Sequence, residues 1–407
     1  MSHANSTVSL STGAPPTIAE LEADPHGVMR HWRALTPAIP HDGYGFLILR
    51  ATDVDRLIND ARLRPLGTEL ARLRGITEGT LFEFFSEGML TADGAVHRRR
   101  RSPFTRAFAA RLMTELRPQL RRSAESLIEA WEPGETIDFV AGFASRLPAQ
   151  AIAGLLGLPL RDIPRFTELA YSASRLLSFS YAPEDIPGME ADMTGLRTYA
   201  EELLADRRAA PRDDFLSTFL HDAEQEGELS PAEIVVQVIT MIIGGTDTTR
   251  GAMASQLASL LQHRAQWQAV CRDPALVRPA VNEALRYEPS VASTSRLAQE
   301  DIDLDGVKLP AGQLITFALI SALRDERVYK DPDVFDIHRT DHVRLHPVFG
   351  AGPHRCLGEA LARAELEEGL AALAARVPDL EMVGEPFSLR GHFGIRRVGA
   401  MRVRRPH

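Results

Sequence analysis

Cysteine is nearly absent: 407 residues carry two, Cys271 and Cys356, too few for a disulfide framework. Lysine is as scarce, since only Lys308 and Lys330 interrupt a basic complement that is otherwise arginine, which reads as compositional bias rather than function. The N-terminal MSHANSTVSLSTGAPP has neither a basic n-region nor an apolar h-region. No stretch reaches the ~18 uninterrupted apolar residues that a membrane span needs. The nearest, Ile234 to Ile243, is broken by Gln237 and Thr240. These absences exclude a secreted disulfide scaffold and a membrane protein, and they predict a soluble, cytoplasmic chain with no membrane partner. A formal charge of −9 counts against nucleic acid as a partner. What is present is 44% hydrophobic and 25% charged residues, enough for a large globular core.

Residues 1–16 have no apolar period and are expected to form a flexible tail, leaving 17–407 as one large domain without linker or repeat. Helical spacing runs from Ile18 to Leu35 with a break at Asp24-Pro25. Tyr44 to Leu49 reads as a strand, followed by a short helix from Asp53 to Ile58. Residues 62–95, punctuated by Gly67, Gly75, Gly79 and Gly88, predict an irregular lid or binding loop. From His97 to about Leu220 helix follows helix, with breaks at Pro118, Pro133-Gly134, Pro159, Pro183 to Pro187 and Pro211. A capping box at Ser230-Pro231-Ala232-Glu233 opens the longest helical pattern, which continues past Leu261 and is apolar enough to cross the interior. Shorter helices over 264–288, a β-rich stretch over 291–319 and strand-like residues from 379 to 403 complete a fold that is mainly α with a minor β region.

The chemistry gathers at Phe349-Gly350-Ala351-Gly352-Pro353-His354-Arg355-Cys356-Leu357-Gly358-Glu359, where glycines and a proline deliver Cys356 to the start of a helix. Unpaired N–H groups and the helix dipole there favour a thiolate, and a thiolate is a ligand. A buried inert thiol or a zinc ligand are the other readings of such a residue, although Cys271 brings no further ligands near it in sequence. Within the long helix, Gly244-Gly245 cost about 1 kcal/mol each relative to Ala, so they imply close approach or a local opening beside Asp247 and Thr248. Packing through glycine, with the threonine bonded to its own turn, explains the same residues.

The segment FGAGPHRCLGEALAR resembles the haem-binding signature of the cytochrome P450 family, with Phe349, Gly350, Gly352, Cys356 and Gly358 at the family's spacing. The resemblance implies a cytochrome P450 fold and heme b, with Cys356 as the iron ligand tuned by N–H groups near Leu357 and Gly358. Gly244 to Thr249 resembles the family's acid–alcohol segment, with Gly244 where alanine is usual. By that likeness Thr248 stabilises the bound dioxygen and its water, while Asp247 relays protons from solvent. Glu283-Ala284-Leu285-Arg286 matches a buried Glu-x-x-Arg whose third member is Arg339, a structural trio holding the cysteine loop. His97, Arg101, Arg296 and His354 are assigned to the haem propionates, four basic groups for two carboxylates. Arg98, Arg99, Arg106 and Arg355 then form a basic patch for an acidic ferredoxin, itself served by a ferredoxin reductase.

The implied function is a bacterial-type monooxygenase using O2 as co-substrate, with a haem-thiolate peroxygenase or a non-catalytic haem-binding sensor as alternatives. The pocket is expected to include Phe82, Phe85, Leu90, Phe179, Ile243, Gly244, Val291, Ala292 and Ile395. These residues carry no charge and suit a neutral, largely apolar small substrate, and the nearby Arg396 is expected to point away.

Overall fold

The computed structural model describes residues 13–108, 110–178, 181–342 and 347–406. Most of the tail expected over 1–16 therefore lies outside the described residues. Thr17 and Glu20 form a reciprocal capping box at the start of α1 (Ile18–Ala23). Asp24 then ends α1 and caps α2 (Pro25–Leu35), so the expected break is a junction between two helices sharing one residue. β1 (Ala38–Pro40) and β2 (Phe46–Ile48) pair antiparallel, and α3 (Ala51–Leu57) and β3 (Leu63–Arg64) follow.

The stretch 62–95 is more regular than its glycines suggest, because it contains β3, α4 (Glu69–Leu73) and α5 (Gly79–Glu87). Gly67, Gly75 and Gly79 adopt φ of 57°, 76° and 87° at or beside the ends of these elements. α5 has no local side-chain cap; the Glu190 carboxylate accepts the N–H groups of Thr80 at 2.5 Å and Leu81 at 3.1 Å instead. A cap supplied from 110 residues away leaves no local signature.

α6 (Gly94–Ala107), α7 (Ala110–Glu129), α8 (Arg146–Leu155), α9 (Ile163–Ser178), α10 (Ile186–Ala209) and α11 (Phe215–Glu226) supply the helical succession, with β4 (Thr136–Asp138) and a π-turn over Val140–Ala144 between α7 and α8. No break occurs at Pro118, which lies inside α7. An internal proline costs about 3 kcal/mol, and here α7 packs along the helix α16 (Glu359–Arg376), to which Arg117 and Arg121 are tied through Glu367 and Glu368. Tertiary packing outweighs the local penalty.

The central element is α12 (Pro231–Gln262), opened by the Ser230–Glu233 capping box and buried on most of its circumference. At 1.5 Å per residue it runs about 48 Å through the interior, against α5, α8, α9, α10, α14 (Val277–Tyr287) and α16, while α13 (Arg264–Arg272) follows it. The main sheet has the order β1-β2-β8-β5-β3, with β5 (Ser293–Ala298) antiparallel to β8 (Leu314–Ala318) and β8 parallel to β2. β6 (Ile302–Leu304) and β7 (Val307–Leu309) form a hairpin whose turn residues Asp305 and Gly306 both have positive φ. α15 (Leu319–Ala322) follows β8.

The strand expected over 379–403 reduces to β9 (Glu381–Met382) and β10 (Arg402–Arg404), paired with β4 in a small sheet. Between them Gly384, Gly391 and Gly394 take φ of 88°, 102° and 63°, which turns the chain back on itself and leaves only the bridges Val291–Ile395 and Arg390–Arg397. No helix among the described residues is long and apolar enough to cross a membrane.

Candidate active site

The cysteine loop is built by backbone contacts that only its sequence permits. Gly350 and Gly352 take φ of 72° and 57°, and a Cβ on Gly352 would sit 2.1 Å from the Asn59 amide oxygen, so the loop rests directly on the segment after α3. The Cys356 N–H donates to the Phe349 carbonyl at 2.7 Å, the Arg355 guanidinium to the Gly350 carbonyl at 2.9 Å, and Arg101 to the Arg355 carbonyl at 2.6 Å. Arg363 stacks on the Phe349 ring at 4.9 Å. Cys356 precedes α16, whose N-cap is Gly358. Burial within the protein mass pushes its thiol pKa up, while the Gly358 N–H, Arg101 and Arg355 oppose the shift. The residue is nevertheless accessible to solvent, so it faces an opening rather than packed side chains. Ala360, one turn on, is exposed as well.

The two glycines of α12 have different roles. A Cβ on Gly245 would lie 2.3 Å from Ile152, which makes it the close-approach glycine that lets α8 pack on α12. Gly244 is exposed in the middle of an otherwise buried helix, and a Cβ added there meets nothing within 4 Å. α12 runs on unbroken, with the Thr248 hydroxyl donating to the Gly244 carbonyl at 3.0 Å. Asp247 is buried, accepting from the Ser174 hydroxyl of α9 at 2.7 Å and pairing with Arg250 at 2.5 Å, and Arg250 lies 3.9 Å over the Tyr171 ring.

Between α12 and α16 stands a residue the sequence reading missed. Glu365 is 1% exposed, and neither carboxyl oxygen has an aligned hydrogen bond among the described residues. Burial drives its pKa well above the carboxylate range, opposed only by the nearby Thr249 hydroxyl. Its one sequence signal is an acid four residues after Leu361, on the buried stripe of α16.

On the other side of the cysteine loop four basic groups converge. The rings of His97 and His354 lie 4.0 Å apart, Arg101 reaches the loop as described, and Arg296 projects from β5 with one guanidinium N–H on the Ser295 carbonyl. Burial lowers the pKa of all four. The neighbouring arginines lower both histidines further, and His354 falls to about 3 with His97 also contributing. Neither Arg101 nor Arg296 forms an ion pair with a carboxylate among the described residues. Two arginines brought together with no ion-paired carboxylate, only the charge of Asp93 acting on Arg296, are costly to bury unless a bound group supplies negative charge. An accessible cysteine, a mid-helix glycine with free space beside it and this basic cluster fit a flat metal-bearing macrocycle with two acid side chains, as haem is. No three His, Cys, Asp or Glu residues converge as a metal-ligand group among the described residues, which leaves the zinc reading of Cys356 without partners.

Glu283 and Arg286 are both fully buried and form a bidentate pair at 2.7 and 2.8 Å. Arg339 lies 3.4 Å from Glu283, a charge contact without hydrogen-bond alignment, and His342 stands 3.7 Å away. Arg286 also donates to the carbonyls of Leu323, Pro332 and Val334, fastening the coil that leads toward the cysteine loop.

The arginines assigned to a docking patch are not equivalent. Arg98 is exposed. Arg99 grips Glu233 with both terminal nitrogens, at 2.5 and 2.8 Å, and the adjacent Arg100 is buried against the same carboxylate at 2.8 Å. Arg99 falls in the expected docking patch because the acid it grips lies more than 130 residues away in sequence. Arg355 pairs with Glu359 at 2.5 Å, and the Arg106 side chain lies outside the described residues.

Among the residues expected to line a pocket, Gly244, Val291, Ile395 and the 48%-exposed Leu90 present surface. Phe82 is half-buried under Arg72. Phe85, Ile243 and Ala292 present almost none, being packed into the core at 2%, 1% and 0% exposure, because each faces the protein side of its element. Phe179 lies outside the described residues. Arg396 turns away into an ion pair with Glu288, as expected. Missed altogether was Arg74, which lies between Tyr44 and Tyr181.

Fold and site together define a haem-thiolate protein. The profile of the family described as Cytochrome P450 matches residues 190–273 and 273–375. The chain is 42% identical over 387 residues to the plant-inducible cytochrome P450-pinF1 of Rhizobium radiobacter, covering 95% of this chain and 92% of that protein. It is 33% identical to luteothin monooxygenase of Streptomyces thioluteus, covering 92% and 90%. The solved structure of CalO2 superposes with a TM-score of 0.88 at 30% identity, covering 97% and 98%. A myxobacterial cytochrome P450, CYP267B1 in complex with myristic acid, superposes at 0.86 with 34% identity, covering 95% and 98%. The chain belongs to the cytochrome P450 family, and its activity is that of a P450 monooxygenase, an oxidoreductase that incorporates molecular oxygen.

Proposed function

We propose that this monooxygenase holds heme b on Cys356, inserts oxygen into a largely apolar small molecule, and receives its electrons from a separate ferredoxin and ferredoxin reductase. The observation that carries the reading is the solvent-accessible Cys356 beside His97, His354, Arg101 and Arg296, where neither arginine forms an ion pair with a carboxylate among the described residues. Haem, when bound there, supplies the oxygen activation and the oxidising power for attack on carbon.

The chain's own residues bind, orient and move protons. His97, Arg101, Arg296 and His354 hold the two acid side chains of the cofactor, and the Gly358 N–H tempers the basicity of the sulfur. Gly244 leaves room on the distal face for the reacting group of the substrate. Asp247, held in place by the Ser174 hydroxyl and the Arg250 guanidinium, relays protons toward Thr248. The Thr248 hydroxyl keeps its own proton directed at the Gly244 carbonyl. With Arg99 committed to Glu233, the electrostatic case for an acidic ferredoxin falls mainly on Arg98.

The test is turnover of the purified haem-loaded protein on a panel of apolar substrates, supplied in parallel with NADH, reductase and ferredoxin under O2, or with hydrogen peroxide alone. Product in the first arm is expected. Product confined to the peroxide arm would overturn the ferredoxin-fed reading in favour of a peroxygenase.

A further inference from the structure

A second cleft lies apart from the cysteine loop, bounded by the start of α2, the C-terminal half of α12, the end of α14 and the chain at 387–388. Its volume is about 240 Å³, roughly eight times the share of liquid volume that one water takes. No residue along its walls belongs to the groups around Cys356 or to the expected substrate pocket. Ser255, on one wall, stands two helical turns beyond Thr248 on the same stripe of α12. Between them lies Gly251, where a Cβ would meet Ser290 at 3.0 Å and Val398 at 3.3 Å. Chain packed against α12 at Gly251 therefore separates the cleft from the acid–alcohol segment.

The formal charges on its walls neutralise one another. Glu288 accepts from His26 Nε2 at 3.0 Å, from Arg324 at 3.4 Å and from Arg396. Arg324 donates also to the Tyr287 carbonyl, at 2.7 and 3.1 Å, and to Asp333 at 3.2 Å. Burial lowers the pKa of His26 below its ordinary 6.5 against the pull of Glu288, so at pH 7.5 the ring is neutral and donates through Nε2. The walls therefore offer a ligand no unpaired ion.

What stays open is uncharged. His26 Nδ1 is buried and has no hydrogen-bond partner among the described residues. The hydroxyls of Ser259, Tyr287 and Ser388 likewise make no hydrogen bond among those residues. The Tyr287 ring is held between Arg324, 4.0 Å over it, and Phe335 at 5.4 Å, which fixes the direction of its hydroxyl. Ala258 and Phe387 add apolar surface beside these groups. Buried polar atoms are normally paired. One acceptor and three hydroxyls, brought to one hollow from four separate segments, match a molecule whose own hydroxyls both donate and accept.

We propose that this cleft is a second ligand site, separate from the site of oxidation, and that it binds a small neutral polyol with the dimensions of a monosaccharide ring. One ligand hydroxyl donates to His26 Nδ1, others exchange hydrogen bonds with Ser259, Tyr287 and Ser388, and the C–H face of the ring lies on Ala258 and Phe387. A charged ligand would give up its hydration without gaining a free counter-charge, because Glu288 and Arg324 are already paired.

The experiment is saturation-transfer proton NMR at pH 7.5 on the haem-loaded protein in its diamagnetic ferrous–CO form, with myo-inositol, cyclohexanol and inositol 1-phosphate as probes. Wild type, Ser259→Ala and Tyr287→Phe are compared, and the ferrous–CO absorption spectrum of each checks that the fold is intact. Myo-inositol is expected to bind saturably in the millimolar range, about tenfold or more tighter than cyclohexanol, which keeps the ring and one hydroxyl. Each variant is expected to weaken myo-inositol about three- to tenfold, the effect of one lost hydrogen bond. Absence of saturable myo-inositol binding, equal binding of cyclohexanol, or an unchanged Kd in both variants overturns the site. Tighter binding of inositol 1-phosphate than of myo-inositol overturns the neutral class.

Discussion

Replacing Arg286 by alanine removes a residue that is fully buried and has its donors committed to five acceptors: both Glu283 oxygens and the carbonyls of Leu323, Pro332 and Val334. The Glu283 carboxylate, itself fully buried, keeps the Asp336 N–H at 2.8 Å and the unaligned Arg339 at 3.4 Å. Stranding one member of a buried pair costs about 3–5 kcal/mol, and each carbonyl that water fails to reach adds about 1 kcal/mol. Against total stabilities of about 5–15 kcal/mol, a loss of about 4–6 kcal/mol brings the fold to the edge of stability. Because the lost carbonyl contacts fasten the coil before the cysteine loop, haem release is expected to precede global unfolding. The assay is urea unfolding of the haem-loaded protein, followed by far-ultraviolet circular dichroism and by the Soret band together. The double variant Glu283→Ala/Arg286→Ala removes the stranded charge, so its cost falls short of the sum of the single costs by about 2–3 kcal/mol. A cost below about 1 kcal/mol for Arg286→Ala, or strict additivity in the double variant, refutes the reasoning.

Two other outcomes follow from buried charges and from the acid–alcohol pair. Burial pushes the Glu288 carboxyl up, but Arg396, His26 and Arg324 outweigh it and hold the pKa at about 2, against an ordinary 4.5. A depressed carboxylate stabilises the fold fully above pH 4.5 and loses that contribution as pH falls toward 2. The window of 2.5 pH units corresponds to about 3 kcal/mol. Thermal unfolding of Glu288→Gln between pH 6 and pH 3 should show a shallower acid decline than wild type, and an unchanged slope contradicts the assignment. In Thr248→Ala, NADH consumption should continue while product per NADH falls several-fold, on the order of the hundredfold scale of positioned proton transfer at most. Unchanged coupling would remove Thr248 from the proton path.

Local rules made part of this molecule legible before any coordinates. The Ser230 capping box, the shared Asp24 and the Asp305-Gly306 turn are set by residues within four positions of one another, and each is found where the pattern puts it. The loop around Cys356 was visible for the same reason, because its glycines and proline dictate its turns. What escaped depends on distant partners. Pro118 stays helical because α16 packs along α7, α5 is capped by Glu190, and Arg99 and Arg100 close on Glu233 rather than facing water. Glu365 lies among apolar positions that gave no hint of its isolation, and Arg74 acquires its aromatic neighbours only when three loops meet. Local chemistry marks the ligand loop and the acid–alcohol segment, whereas the surroundings of Glu365 and Arg74 arise from topology.

The central claim is that the Cys356 thiolate ligates the haem iron, and the most direct measurement is the ferrous–CO absorption spectrum of the purified protein beside that of Cys356→His. The account predicts a thiolate-type, strongly red-shifted Soret band in wild type and its replacement by an imidazole-type band in the variant. A wild-type protein that retains haem with an imidazole-type band, or a variant with an unchanged spectrum, would contradict it.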